Sequence, residues 1–504
     1  MLRTIRAHLD HRAATQPDRV FLLAPETGAT LTYGDLQGHA RALAGQLRAL
    51  GVRPGDKVSL MMCNGYQTGA LLLGIMYGGF TVAPINLLSQ ASQLRYVLEH
   101  SDTRVVFAHA AEIGRLREAI AAIGRDITIL EIDVDSTALP PANPLSAEQL
   151  PRVTPPDDAL LMYTSGTTGQ PKGVLLSHQN VVAGGEYTSA AHALTKSDRV
   201  LCVLPLYHIN GQIVTAVAPL VSGGSVVLPR KFSATNYWQT AGEHGCTWLN
   251  FVPTIVSYLL NAPGPLARGV KVPSVRFARS ASAPLPPELH RAFEEKFGIG
   301  IIETMGMTET AAPCFTNPLD PAKRKYGSPG IAFGNEAKIV DLEGRDVPDG
   351  TPGEICIRGD NVLASYYKNP EATEKSFYPG GWLRSGDLGY RDPDGFYFVT
   401  GRLKELIIKG GENIAPREID EALMKHPAVL EAAAVGIPDP HYGQEIMACV
   451  ILKPGCACLE AELREFALAE LGKYKTPKVL LFVEDLPRGP SGKVQRLKLA
   501  ELHS

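Results

Sequence analysis

Residues 164–173 read TSGTTGQPKG and follow directly on the apolar run DALLMY, from Asp158 to Tyr163. The ten residues hold four hydroxyl side chains, three glycines and a lysine. Glycine lets a backbone approach phosphate oxygens, hydroxyls add donors and Lys172 adds positive charge, so a strand running into this loop suits a polyphosphate. The pattern GxxxxGK[ST] of the usual P-loop is absent. A plain solvent-exposed Ser/Thr/Gly linker is the other reading of the composition, and it leaves Lys172 without a task.

Outward from this junction, helical patterns such as Leu36 to Leu50 alternate with short apolar strands such as Lys57 to Met62 and Thr103 to Ala108. That alternation, up to about residue 230, favours parallel α/β layers. The most lipid-like stretch, Gly69 to Leu88, is broken by glycines and a proline and divides into a helix and a buried strand. From about 335 to 400 the texture changes to short alternating strands with Gly, Pro and Asp turns, an antiparallel β region. After Gly401 a new unit begins with LKELIIKG, a helix opening near Pro416 and the strand-like LEAAAVGI. The expected division is therefore 1–401 and 402–504, with the boundary at 401–404.

The 504 residues exceed what one core usually holds, and 45% hydrophobic and 20% charged residues with net charge −3 describe an ordinary globular chain. No charge run points to nucleic acid, and no membrane insertion is expected. The first residues, MLRTIRAHLDHRAATQPDR, read as an amphipathic helix rather than a secretory signal. Eight cysteines without a CxxC pair suggest neither a disulfide framework nor a zinc site, and the expected compartment is the cytoplasm.

Further segments stand in order along the chain: LPLYHING (204–211), RSASAPL (279–285), MGMTET (305–310), RSGDLG (384–389), GRLKELIIKGGENI (401–414) and PRGPSGKVQR (487–496). With TSGTTGQPKG they resemble, over nearly the whole chain, the adenylate-forming superfamily of acyl-CoA synthetases, firefly luciferase and peptide synthetase adenylation domains. The resemblance implies a large N-terminal domain of layered α/β subdomains plus an antiparallel β region, and a small mobile α+β C-terminal domain hinged near Lys404. It also implies a reaction. A carboxylate attacks the α-phosphorus of ATP and expels pyrophosphate, after which the thiol of coenzyme A attacks the acyl-AMP.

By the same resemblance Thr164, Ser165, Gly166, Thr167, Thr168, Gly169 and Lys172 hold the β and γ phosphates. Thr308 bonds the α-phosphate, Glu309 helps to hold Mg2+, and Lys493 bridges the attacking carboxylate and the α-phosphate. Asp387 accepts from the ribose hydroxyls and Arg402 contacts the ribose and phosphate side. Ser280 to Pro284, with Ser282, Ala283 and Pro284 named for the nucleotide, and the strand end Met305–Gly306 flank the adenine. Met305 stands where many relatives carry tyrosine, which would replace ring stacking by a sulfur contact. Gly410 and Gly411 lack side chains where pantetheine would pass, although a tight strand-end turn accounts for them nearly as well. Taken singly, Glu309, Lys493, Asp387 and Arg402 read as surface charges or turn residues.

Within the superfamily, PLYHING, PRKFSATNYW, ARSASAPL and TNPLD are most similar to oxalyl-CoA synthetases, then to crotonobetaine and coumarate ligases. His208, Arg279, Ser280 and Gly306 would line the acid pocket. A second acidic group on a short substrate would need Arg279 as its cation, so a small dicarboxylate or sulfonated acid is expected. Pairing of Arg279 with a structural carboxylate is the alternative. An aromatic, carnitine-type or fatty acid ligase, an acyl-AMP ligase loading a carrier protein, a luciferase-type oxygenase and a non-catalytic nucleotide-binding regulator stay open. An amino-acid adenylation module would carry an aspartate near LPLYHING, and none is there. Monomer or homodimer is expected.

Overall fold

The computed structural model describes residues 2–164, 171–265, 269–341, 343–488 and 494–503. They form two compact units, Met1–Glu336 with Ile357–Leu383, and Ala337–Cys356 with Arg384–Ser504.

Among the described residues the first unit carries a seven-stranded and a nine-stranded sheet. In the seven-stranded sheet Asp158–Thr164, Thr81–Pro84, Lys57–Met61, Thr103–Ala108 and Thr128–Glu131 run parallel. The helix Tyr66–Tyr77 is buried at all of its positions, as its apolar composition on every face requires. The helix Tyr33–Ala49 opens on a capping box between Thr32 and Asp35 and buries Leu36, Ala40, Leu43, Ala44 and Leu47 on one face. At the start of the chain, the helix Ile5–Thr15 buries Ile5, His8 and Leu9.

The nine-stranded sheet has a parallel centre, in the order Ile301–Met307, Phe277–Ser280, Trp248–Phe251, Arg199–Cys202, Ser225–Val227 and Val20–Ala24. Antiparallel strands close both sides, with Ala312–Thr316 beside Ile301–Met307 and Ala29–Thr32 beside Val20–Ala24. The segments RSASAPL and MGMTET therefore leave the carboxyl ends of neighbouring parallel strands, where open α/β sheets bind ligands.

In the second unit Trp382–Arg391 pairs antiparallel with Tyr397–Arg402, from Arg391↔Tyr397 to Asp387↔Arg402. Residues 384–401, read from the sequence as part of the first domain, fall in the same compact unit as the C-terminal residues. Beyond them, Val429–Asp439 and Gly443–Leu452 make a long hairpin and Val479–Phe482 lies parallel to its second strand. The helix Pro416–Met424 starts on a proline and buries Ile419, Ala422 and Leu423. No helix among the described residues is long and apolar enough to cross a membrane.

Candidate active site

The loop that opened the sequence reading joins two antiparallel strands, Asp158–Thr164 and Lys172–Ser177, with Thr164 directly opposite Lys172. Ser165, Gly166, Thr167, Thr168 and Gly169 lie outside the described residues, but both ends of the loop are fixed by the sheet. The returning strand pairs on its other side with Ser365–Tyr366, where Tyr366 lies opposite Val174. Tyr366 presents its ring to the Lys172 ammonium at 4.9 Å. Its hydroxyl donates to Glu309 Oε1 at 2.9 Å. Burial, and then the charge of Glu309, push the phenol well above its ordinary pKa, so it stays a donor.

Thr308 and Glu309 open the single 3-10 turn Thr308–Thr310 at the end of Ile301–Met307. The backbone of Leu363 donates to the Glu309 carbonyl at 2.8 Å, and Asn361 Nδ2 donates to the carbonyls of Thr310 and Pro313 at 2.9 and 3.1 Å. Glu309 is only half-buried, and Oε2 has no hydrogen-bond partner among the described residues. An oxygen left in that state fits a hard cation such as Mg2+. The turn is tight: Ala311 and Ala312 take φ of 44° and 78°, and a Cβ on Gly306 would stand 2.0 Å from the Ala312 carbonyl oxygen. Met305 pairs with Phe315 and Gly306 with Pro313. Ser282, with φ of 74°, and Ala283 are half-buried, and Pro284 is exposed.

Arg279 is 1% exposed. Its in-register neighbour on the adjoining parallel strand is Asn250, so their side chains share one face of the sheet. The guanidinium Nη1 donates to Asn210 Oδ1 at 2.9 Å and to Asn250 Oδ1 at 3.0 Å, while Nε has no partner among the described residues. No carboxylate comes within 4.0 Å of it among those residues. Ser280 and its neighbour Glu303 fall on the opposite face by strand alternation, and Glu303 Oε1 accepts the Leu285 N–H at 3.0 Å. Burial alone pulls the guanidinium down to about 9. The structural carboxylate partner weighed for Arg279 is thus not found among the described residues.

His208 precedes Asn210 by two residues and packs edge-on against Tyr207, with ring centroids 4.8 Å apart. Asn210 opens a π-helical stretch, Asn210–Val217, a form that recurs at functional sites. Gly211 is needed there, since a Cβ would stand 2.6 Å from the Pro205 carbonyl oxygen. Asn250 and Tyr366 escaped the sequence reading. They sit in WLNF and ASYYK, outside every motif; strand pairing brings Asn250 to Arg279, and a side-chain hydrogen bond from the edge strand of one sheet to a turn of the other brings Tyr366 to Glu309.

In the second unit Arg402 Nε donates to the buried Asp387 at 2.8 Å across their shared register position. Lys404 lies in the exposed turn that follows. Gly410 and Gly411, with φ of 56° and 86°, are the two-residue turn between Ile407–Lys409 and Glu412–Ile414. Such a turn needs positive φ at both central positions, so the backbone accounts for both glycines. Lys493 lies outside the described residues.

The model for the AMP-binding enzyme family matches residues 9–367, and the model for the AMP-binding enzyme C-terminal domain matches residues 418–493. The chain is 56% identical to a sulfoacetate–CoA ligase of Cupriavidus necator over 498 residues, covering 98% of this chain and 97% of that one. It is 34% identical to an oxalate–CoA ligase of Arabidopsis thaliana over 515 residues, covering 99% and 98%. Among solved structures, ATP-bound MatB from Rhodopseudomonas palustris matches with TM-score 0.92 at 29% identity, covering 100% of this chain and 99% of that one.

Proposed function

This chain belongs to the AMP-binding enzyme family, and from that premise we propose that it joins a short acid bearing a second anionic group, sulfoacetate or a short dicarboxylate, to coenzyme A. It is an ATP-dependent acid–thiol ligase that works through an acyl-adenylate. The observation that carries the choice of acid is Arg279, a buried guanidinium bonded only to neutral amides. A buried charge without a counter-ion costs several kcal/mol, of the order of 3 or more, and a sulfonate or second carboxylate removes that cost on binding. The relatives named for sulfoacetate and oxalate support the same choice.

Two anions have to meet in the first half-reaction, so the chain must supply positive charge and donors around the phosphates. Lys172, facing Tyr366 at the end of the hydroxyl-rich loop, serves the β and γ phosphates, and the loop residues Ser165 to Gly169 wrap them. Thr308 takes the α-phosphate. Magnesium, when bound, screens the phosphate charge, and Glu309 is the carboxylate that would hold it. Lys493 takes both the attacking carboxylate and the α-phosphate oxygen. Asp387 and Arg402 take the ribose. His208 lines the acid pocket near the carboxylate. Turning about Lys404, the C-terminal domain then brings the Gly410–Gly411 turn to pantetheine. All eight cysteines are free thiols, which supports a cytoplasmic location.

The test is turnover of sulfoacetate, oxalate, malonate, propionate and coumarate, followed as AMP formed with coenzyme A present. Sulfoacetate or a short dicarboxylate is the expected preferred acid, and Arg279→Met is expected to cut its kcat/KM about 100-fold or more while sparing propionate. Unchanged preference in Arg279→Met would refute the reading.

A further inference from the structure

Around Arg279 the surprising feature is what stands beside it. Asn250 is fully buried and Asn210 is 6% exposed, and both turn their amide oxygens to the same guanidinium nitrogen. Asn250 Nδ2 donates to Asn210 Oδ1 at 3.2 Å, and Asn210 Nδ2 donates to Ser282 Oγ at 3.2 Å. The amide N–H groups are thereby drawn away from Arg279 and the oxygens are turned toward it. Aspartate has the same shape as asparagine and would accept the same hydrogen bonds from Arg279, giving up only the amide donors to Asn210 Oδ1 and Ser282 Oγ. It would also form a buried ion pair, the usual way to house such a cation. At both positions the chain uses the neutral residue.

We infer that Asn210 and Asn250 are positioning residues that set the charge class of the acid: they aim the Arg279 guanidinium through neutral oxygens and so reserve its charge for the second anionic group of the substrate. An internal carboxylate would cancel that charge and repel the incoming anion. Two amides give direction without cancellation, and Nε, buried and unpartnered among the described residues, keeps a donor in hand. The inference rests on the proposed role of Arg279 and adds the residues that make the role possible.

The experiment compares kcat/KM for sulfoacetate with that for propionate in the full-length enzyme and in Asn250→Asp, Asn210→Asp, Asn250→Ala and Arg279→Met. Asn250→Asp is expected to lower the sulfoacetate-to-propionate ratio about 30-fold, chiefly through a higher KM for sulfoacetate with kcat little changed. Asn210→Asp should act in the same direction and serves where the first variant does not fold. Asn250→Ala removes the acceptor, and the amide donor that aspartate also lacks, but adds no charge, and its ratio should fall only about 3-fold. A purely structural role would make alanine as harmful to the ratio as aspartate, and that result overturns the inference. So does a ratio kept within about twofold by both aspartate variants while Arg279→Met loses it. If Arg279→Met itself keeps the ratio, the reading of Arg279 fails first and takes this inference with it.

Discussion

Tyr366 serves two neighbours at once, since its hydroxyl holds Glu309 and its ring faces Lys172. Removing only the hydroxyl leaves the ring in place and frees the carboxylate to turn. Tyr366→Phe is therefore expected to slow sulfoacetate-dependent ATP–pyrophosphate exchange about tenfold and to raise the magnesium concentration needed for half-maximal rate. An unchanged magnesium requirement would mean that the phenol does not orient Glu309. The contrast between these residues also shows what a sequence can reveal. Lys172, Thr308 and Glu309 lie inside contiguous motifs, so the sequence singles them out as candidates. Tyr366 is 57 residues from Glu309 and Asn250 is 29 from Arg279. Contacts of that range come from strand order and from the packing of one sheet's edge on the other, which local patterns do not encode. The same limit left the partner of Arg279 open until the register put Glu303 on the far face.

Among the elements, the Gly410–Gly411 turn separates two explanations of one pattern. The turn geometry alone requires positive φ at both positions, yet a Cβ at Gly411 meets nothing within 4 Å, so the cost of a substitution there is the left-handed backbone strain alone, about 1–2 kcal/mol. Gly411→Leu should leave acyl-AMP formation intact and suppress the thioester step, as seen by single-turnover measurement of each. Equal loss in both steps would leave the turn as the whole explanation. A second element-scale effect concerns two buried histidines, His178 where one helix meets another and His192 where a helix end meets the sheet. His178 Nδ1 accepts the Ile5 N–H at 3.3 Å, and His192 packs against the stacked pair Trp248 and Phe277. Burial holds His178 down to about 4, and burial followed by the charge of Arg279 holds His192 down to about 3. An unfolded histidine titrates near 6.5, so below that pH the unfolded chain binds protons that the native chain refuses. This contribution is complete above about pH 6.5 and is lost as the pH falls toward 4. His192→Phe should lower stability at pH 7.5 but flatten its decline by about 2 kcal/mol between pH 6.5 and 4.5, read from urea unfolding. A slope identical to the parent would exclude His192 as a source.

At the level of the whole molecule the proposed roles divide between the two units, with Lys172, Thr308, Glu309 and Arg279 in the first and Asp387, Arg402, the glycine turn and Lys493 in the second. Lys493→Ala should reduce acyl-AMP formation about 100-fold or more while supplied acyl-AMP still reacts with coenzyme A. A normal rate of acyl-AMP formation would remove Lys493 from the mechanism. The architecture was legible in outline, because alternation of apolar runs marks strands and helices directly. Thr103–Ala108 is the strand as read, whereas the helix read as Leu36 to Leu50 begins at Tyr33 because the Thr32–Asp35 cap sets its start. Sheet order was not legible: Val20–Ala24 lies beside Ser225–Val227, a pairing that no local periodicity announces. The amide frame around Arg279 has a consequence beyond a single enzyme. Asparagine and aspartate codons differ by one base, so on the inference drawn for Asn210 and Asn250 one point mutation would shift such a ligase from doubly charged acids toward singly charged ones. The diet of the enzyme would then change inside its sheet, with every surface loop untouched.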